Sequence, residues 1–310
     1  MPTTLPTPVR TTARHGTVDV HQHLWPPIFV EALRGRTAAP RLVDWTLHLD
    51  GEPPYEVDPR HHDVGARTAD EISDERLIGL SSPLGVEDLP VPEAEALLSA
   101  WHLGATELGR GFRPWASVNH TEPDLRALGG HLAAGAAGLQ IAATRLATPA
   151  ALEAVLPVLA VAEAAGRPVL VHPGPVPAGT TDVPGWWPAV VDYPAQLQAA
   201  WWSWHLAGRA ALPNLRICFA AGAGLAPVHH ERFTARGGGP FRPDRATFVE
   251  ISSYGQQGVD ALLRVLGVDA LVFGTDRPYA PLSPPSYLGA AAENALRTTN
   301  PRRLLEGSDR

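Results

Sequence analysis

Short apolar runs alternate along this chain with longer, helix-like stretches. Eight of the runs have strand character: residues 17–21, 76–81, 113–118, 138–142, 168–172, 216–220, 247–252 and 270–274. Most are β-branched or aromatic in part, and several end in a Gly, Pro or polar cluster, the usual punctuation of strands. Between them, residues 93–108, 150–165, 192–206 and 258–266 read as helices, the second stopped by Gly166. Strand and helix in repeated alternation predict a parallel sheet with crossover helices. Eight such units predict closure into a (β/α)8 TIM barrel. The rival architecture, an open doubly wound sheet, would not so readily bring the first and last strands together.

One connection breaks the rhythm. Residues 24–75 are far too many for a single crossover. They contain the run Leu42-Val43-Asp44-Trp45-Thr46-Leu47-His48-Leu49, then Asp50-Gly51, then Glu52-Pro53-Pro54-Tyr55-Glu56-Val57. Asp-Gly between strand-like runs signals a hairpin. The expectation is an inserted hairpin subdomain after strand 1, lying over the barrel mouth as a lid or else disordered. Residues 1–16, rich in Thr, Pro and Arg, are expected to be a loose tail ahead of a single barrel domain, 17–310.

Composition narrows the chemistry. The 310 residues are 45% hydrophobic, ample for one packed core, and no apolar run approaches the length of a membrane span. Net charge is −7 with scattered basic residues, which argues against a nucleic-acid surface. The single Cys218 allows no internal disulfide and suits a reducing cytoplasm. All 25 basic residues are Arg. That excludes a Schiff-base lysine, a P-loop lysine and a two-metal site bridged by a carboxylated lysine.

In a (β/α)8 barrel the active site lies at the C-terminal ends of the strands. His21 and His23 close strand 1, where residues i and i+2 point the same way. His172 closes strand 5, and Asp276 follows strand 8. Strands 1 and 8 become neighbours on closure, so three imidazoles and a carboxylate converge at the mouth. Taken singly, each residue is as readily a surface histidine, a satisfied core histidine or a turn residue. Jointly they suit one divalent ion, zinc first and manganese second, with a position open for water.

These motifs resemble those of the amidohydrolase-related, metal-dependent hydrolases, the amidohydrolase 2 type. The branch they are most similar to contains aminocarboxymuconate semialdehyde decarboxylase, resorcylate decarboxylase and related lactonases and hydratases. The carriers are Val18-Asp19-Val20-His21-Gln22-His23, Leu170-Val171-His172-Pro173-Gly174 and Phe273-Gly274-Thr275-Asp276-Arg277-Pro278. The resemblance implies a barrel holding one metal on His21, His23, His172 and Asp276, and a homodimer or larger assembly. One motif departs. After strand 6 the family pattern is His, a Gly-rich turn, Pro and Glu-Arg, and here Ala221 stands in place of that His, ahead of Gly222, Gly224, Pro227, Glu231 and Arg232.

Candidates to act in its stead are His120, just after strand 3, and, ranked below it, His48, His61 and His62 in the insertion. His229 and His230 are expected to face solvent. Glu250, within strand 7, can face the interior, with structural hydrogen bonding as its first role. Arg277 and Arg145 are candidate clamps for a substrate carboxylate, and Trp186 a candidate pocket wall. Leu197, Trp201 and Trp204 form a narrow helical stripe, read as core before subunit interface. The leading reading is hydrolysis of a small organic molecule by a metal-activated water with Asp276 as general base. Non-oxidative decarboxylation of an aromatic or unsaturated acid is the second. A barrel that binds metal or ligand without turnover is the third, and Ala221 is what supports it.

Overall fold

A computed structural model describes residues 16–50, 54–69, 71–176, 183–242 and 244–307. Apart from Gly16, the expected N-terminal tail lies outside the described residues. The chain opens with β1 (Val18–His23) and helix α1 (Pro27–Arg34), followed by three short strands, β2 (Arg41–Val43), β3 (Thr46–His48) and β4 (Tyr55–Glu56). Helix α2 (Val64–Ala69) then leads to β5 (Glu75–Gly79) and α3 (Val91–Glu107). The remaining barrel strands are β6 (Phe112–Pro114), β7 (Leu139–Ala142), β8 (Val169–His172), β9 (Ile217–Phe219), β10 (Thr247–Glu250) and β11 (Leu271–Val272).

The eight barrel strands are parallel and fall into two runs, β1-β5-β6 and β7-β8-β9-β10-β11. Two seams close them into a ring. Ala116 bridges Leu139 at one, and Gln22 bridges Arg277 at the other. There the Val20 amide also donates to the Phe273 carbonyl at 3.0 Å. All eight predicted strands are present. The third is shorter than the apolar pattern suggested: Phe112–Pro114 pairs with β5, and only Ala116 continues towards β7.

Alternation along the strands sorts the core into layers. Val18, Val20, Leu77, Trp115, Leu170, Cys218, Phe248 and Val272 fill the barrel interior. A larger shell, including Leu139, Ile141, Val169, Val171, Ile217 and Phe219, packs against the helices. Burial pushes the Cys218 thiol well above its ordinary range, so it is an inert core group, as expected. Helix α4 (Pro149–Ala164) shows the local logic: Thr148 caps the Ala151 amide at 3.1 Å, Pro149 occupies the first turn, and Gly166 at φ +61° ends the helix. Helix α5 (Tyr193–Ser203) and the helical turn that continues it carry Leu197, Trp201 and Trp204 into the core shell, so the stripe is packing.

The insertion is a three-stranded antiparallel sheet of order β2-β3-β4. The run at residues 42–49, which reads as one strand, folds back on itself at Asp44-Trp45, with Asp44 at φ +52° and Val43 opposite Thr46. Asp tolerates that left-handed conformation better than most residues. The expected Asp50-Gly51 turn runs into residues 51–53, outside the described residues.

Two buried histidines set an acid limit. His62 accepts from the Trp25 amide, and His102 accepts from the Ser117 amide at 3.1 Å. Burial chiefly, with nearby positive charge, holds both near a pKa of about 3. They stay neutral in the fold but take a proton below about 6.5 in the unfolded chain. Their contribution to stability is therefore complete above about pH 6.5 and lost as pH falls from there towards 3. Urea unfolding is expected to show a loss of about 2 kcal/mol per histidine at pH 5. A His102→Gln variant should lose its share of that pH dependence.

Candidate metal centre

β1 delivers His21 and His23 from a strand whose register against β5 slips between Asp19 and Gln22. β8 delivers His172 from its last position, and the turn after β11 delivers Asp276 at φ +53°. One ligand atom of each lies within 4.8 Å of those of the others. The three rings stand edge to face with centroids 4.8 to 5.0 Å apart. All three histidines are buried, and Asp276 is partly exposed at the mouth.

The hydrogen bonds around the rings fix what faces inward. His21 Nδ1 meets Glu250 Oε2 at 2.9 Å, His23 Nδ1 the Gly79 carbonyl at 3.0 Å, and His172 Nδ1 the Pro173 carbonyl at 2.8 Å. Each partner is an acceptor, so each Nδ1 carries the proton and each Nε2 presents a lone pair. Yet His21 Nε2 and His23 Nε2 are only 3.1 Å apart, and Asp276 Oδ1 lies 3.6 and 3.2 Å from them. Four acceptors aimed at one point repel unless a cation sits among them. The titration of the cluster shows the same demand for positive charge, which without a metal is met by a second proton on His21, at Nε2. Burial opposes protonation of His21, but the Asp276 charge and the Glu250 hydrogen bond lift its pKa to about 9. His23 and His172 are held low, by burial first and then by neighbouring histidines. Burial opposes ionisation of Asp276, but the three histidines outweigh it and keep the carboxyl below its usual range. The donor set fits a divalent ion.

Behind these groups lies a second layer that sequence reasoning largely missed. Glu250 is fully buried and faces the interior; its Oε2 also accepts from the Ala221 amide at 3.0 Å and the Ser252 hydroxyl at 2.8 Å. Asp19, also fully buried, accepts from the amides of His21 and Thr275, the Thr275 hydroxyl and Gln22 Nε2. Burial raises the Asp19 carboxyl to about 6. Tyr279 sets its ring 5.4 Å from that of His23, with its hydroxyl 3.1 Å from Ser81 Oγ. A Cβ at Gly79 would collide with Gln140 Oε1, so a side chain there would displace the Gln140 amide. In the sequence, the polar residues Asp19, two places before the histidine pair, and Gln22, within it, on an otherwise apolar strand were the available signal.

The turn after β9, where the resemblance led to the expectation of a histidine at Ala221, is a run of left-handed residues. Ala221, Gly222, Ala223, Gly224 and Leu225 all have φ between +44° and +63°. At Gly224 a Cβ would strike the Pro194 carbonyl oxygen at 2.4 Å. For Ala221 the left-handed conformation costs about 1–2 kcal/mol. Ala221→Gly is therefore expected to raise stability by roughly 0.5–1 kcal/mol in thermal denaturation, after the entropy cost of glycine.

The other candidates fall apart from the four-residue cluster or against its flanks. His120 Nδ1 bonds Asp88 at 2.9 Å, and its carbonyl accepts from Arg145 at 2.7 Å, so Arg145 supports the loop after β6. His120 Nε2 is buried with no protein partner. Arg277 offers its carbonyl to the His23 amide at 2.7 Å. Trp186 is 56% exposed and packs on Trp187. His62 stacks on Trp25 at 4.2 Å, and the His61 carbonyl accepts from Arg67 at 3.0 Å. His48 lies half-buried in β3, His229 is exposed, and His230 rests near Phe241.

Fold and donor set together define a (β/α)8 barrel with, among the described residues, one candidate metal centre at its mouth. No family model matches the sequence, and no curated protein matches it. Solved structures do. IDCase from Metarhizium anisopliae, in apo form, is 18% identical, with 96% of this chain and 98% of that one covered at a TM-score of 0.76. The 5-carboxyvanillate decarboxylase of Novosphingobium aromaticivorans, complexed with manganese and 4-hydroxy-3-methoxy-5-nitrobenzoic acid, is 15% identical, with 94% and 96% covered at 0.64. The 4-oxalomesaconate hydratase of Rhodopseudomonas palustris is 14% identical, with 93% and 95% covered at 0.66. The chain shares their barrel fold over nearly its whole length.

Proposed function

We propose that this chain is an amidohydrolase-type enzyme that uses one divalent ion, held by His21, His23, His172 and Asp276, to act on a small organic molecule. The observation that carries this is the convergence of four ligand atoms within 4.8 Å of one another, His21 Nε2 and His23 Nε2 only 3.1 Å apart, with every Nδ1 already committed to an acceptor. When bound, the ion supplies Lewis-acid polarisation of a substrate oxygen and a water of lowered pKa. Asp276, ionised and partly open to the mouth, accepts a proton there and returns it to the departing group. Glu250 keeps His21 in one tautomer and one orientation. Hydrolysis of an ester or amide, in which that proton goes to the leaving oxygen or nitrogen, or addition of water to a double bond, in which it goes to carbon, fits an ionised Asp276 best.

A second reading, decarboxylation of an aromatic or unsaturated acid, is favoured by the named activity of the 5-carboxyvanillate decarboxylase of like fold. It needs Asp276 protonated when the new C–H bond forms. Chain reconstituted with zinc or with manganese can be screened on two panels: lactones, amides and unsaturated acids for water addition, and aromatic acids for release of carbon dioxide. Turnover confined to the first panel supports the leading reading. Turnover confined to the second replaces it, and none on either favours the barrel that binds without turnover.

A further inference from the structure

The insertion is tied to the metal-bearing strand through buried polar bonds. Arg67, on α2, is 3% exposed and donates to the His23 carbonyl at 2.7 Å and to the Gln22 side-chain oxygen. Gln22 stands between the two histidines and spends its amide protons on Asp19 at 2.8 Å and Glu71 at 3.0 Å. Asp19 in turn holds the His21 amide and both the amide and hydroxyl of Thr275, the residue before Asp276. A little further on, His62 accepts from the Trp25 amide at 3.0 Å. The bonds therefore run from α2, beneath His21 and His23, to the turn that presents Asp276.

We propose that Arg67 and Gln22 are positioning residues that couple the docking of segment 58–69 to cation binding at the four-ligand centre. This rests on the metal reading above. A bond to the His23 carbonyl constrains the backbone that aims the His23 ring, and Gln22 does the same for the backbone between the two ligands. Ordering one end of the network lowers the cost of ordering the other, so each event strengthens the other by the same factor. The insertion is then part of the metal site, and its docking reports metal occupancy.

The test is hydrogen exchange of segment 58–69, read by mass spectrometry on the full chain with and without zinc or manganese. Binding is measured separately by calorimetry. Exchange is expected to slow at least fivefold on metal addition. In Arg67→Met, metal affinity is expected to fall about 10- to 100-fold, and the exchange response of the segment should disappear. Arg67→Lys should recover part of both, because one donor can still reach the His23 carbonyl. Gln22→Leu, which leaves Arg67 in place, guards against a misfolded Arg67 variant and should show the same loss. Metal that binds the wild-type chain without changing exchange in 58–69 overturns the coupling and leaves the metal reading intact. Absence of binding in calorimetry overturns the metal reading and the coupling with it.

Discussion

His21→Ala/His23→Ala is expected to come through purification without metal, while the wild-type chain carries about one divalent ion. The variant removes two of four donors, and they are the two whose Nε2 atoms already lie 3.1 Å apart. His172 and Asp276, from β8 and the turn after β11, remain as a two-point site. A four-ligand protein site is worth about 10–16 kcal/mol, so losing half its donors should weaken binding by roughly 10⁴-fold or more. Elemental mass spectrometry of both proteins, with circular dichroism to confirm the fold, measures this. One ion per chain retained in the variant would place the cation elsewhere. No ion in either protein after reconstitution with zinc and manganese would end the metal-dependent reading.

The second large effect belongs to Glu250. Its carboxylate is fully buried and answers four donors at once: His21 Nδ1, the Ala221 amide, and the amide and hydroxyl of Ser252. Glu250→Ala leaves all four without that acceptor in a dry interior. The expected cost is about 3–5 kcal/mol in stability, measured by urea unfolding with a chelator present. Metal affinity should fall about 10- to 100-fold, because His21 loses the bond that sets its tautomer and tilt. Glu250→Gln should be milder on both counts, since its carbonyl oxygen can still accept from His21. An alanine variant with wild-type metal affinity would show that His21 is oriented without Glu250.

The barrel was legible because its strands are buried on both faces and bounded by turns, so eight apolar runs stand out. The four-residue cluster was legible for a topological reason: each member falls at the same end of a strand, and closure does the rest. What the sequence hid depends on direction or on distance along the chain. Glu250 could be placed on its strand, but only the folded barrel sets its carboxylate on His21. Arg67 and Gln22 are separated by 45 positions and meet through an insertion whose path no periodicity describes. The break at Asp44-Trp45 was masked because the residues on both sides have strand character. Tyr279 reads as an ordinary loop residue until the turn after β11 brings its ring to His23.

The two-sheet construction of the barrel wall has a consequence for how the molecule comes apart. β1, β5 and β6 form one arc, β7 to β11 the other, and the arcs meet at two seams, each a few backbone hydrogen bonds around one bridged residue pair. His21 and His23 belong to the first arc. His172, Glu250 and Asp276 belong to the second or to the turn beyond it. An ion shared among them is a staple across a seam, closing a loop that spans most of the chain, much as a long-range disulfide would. Chelation should therefore lower the unfolding barrier along that line first, with the small arc and the insertion parting from the large arc as one cooperative unit.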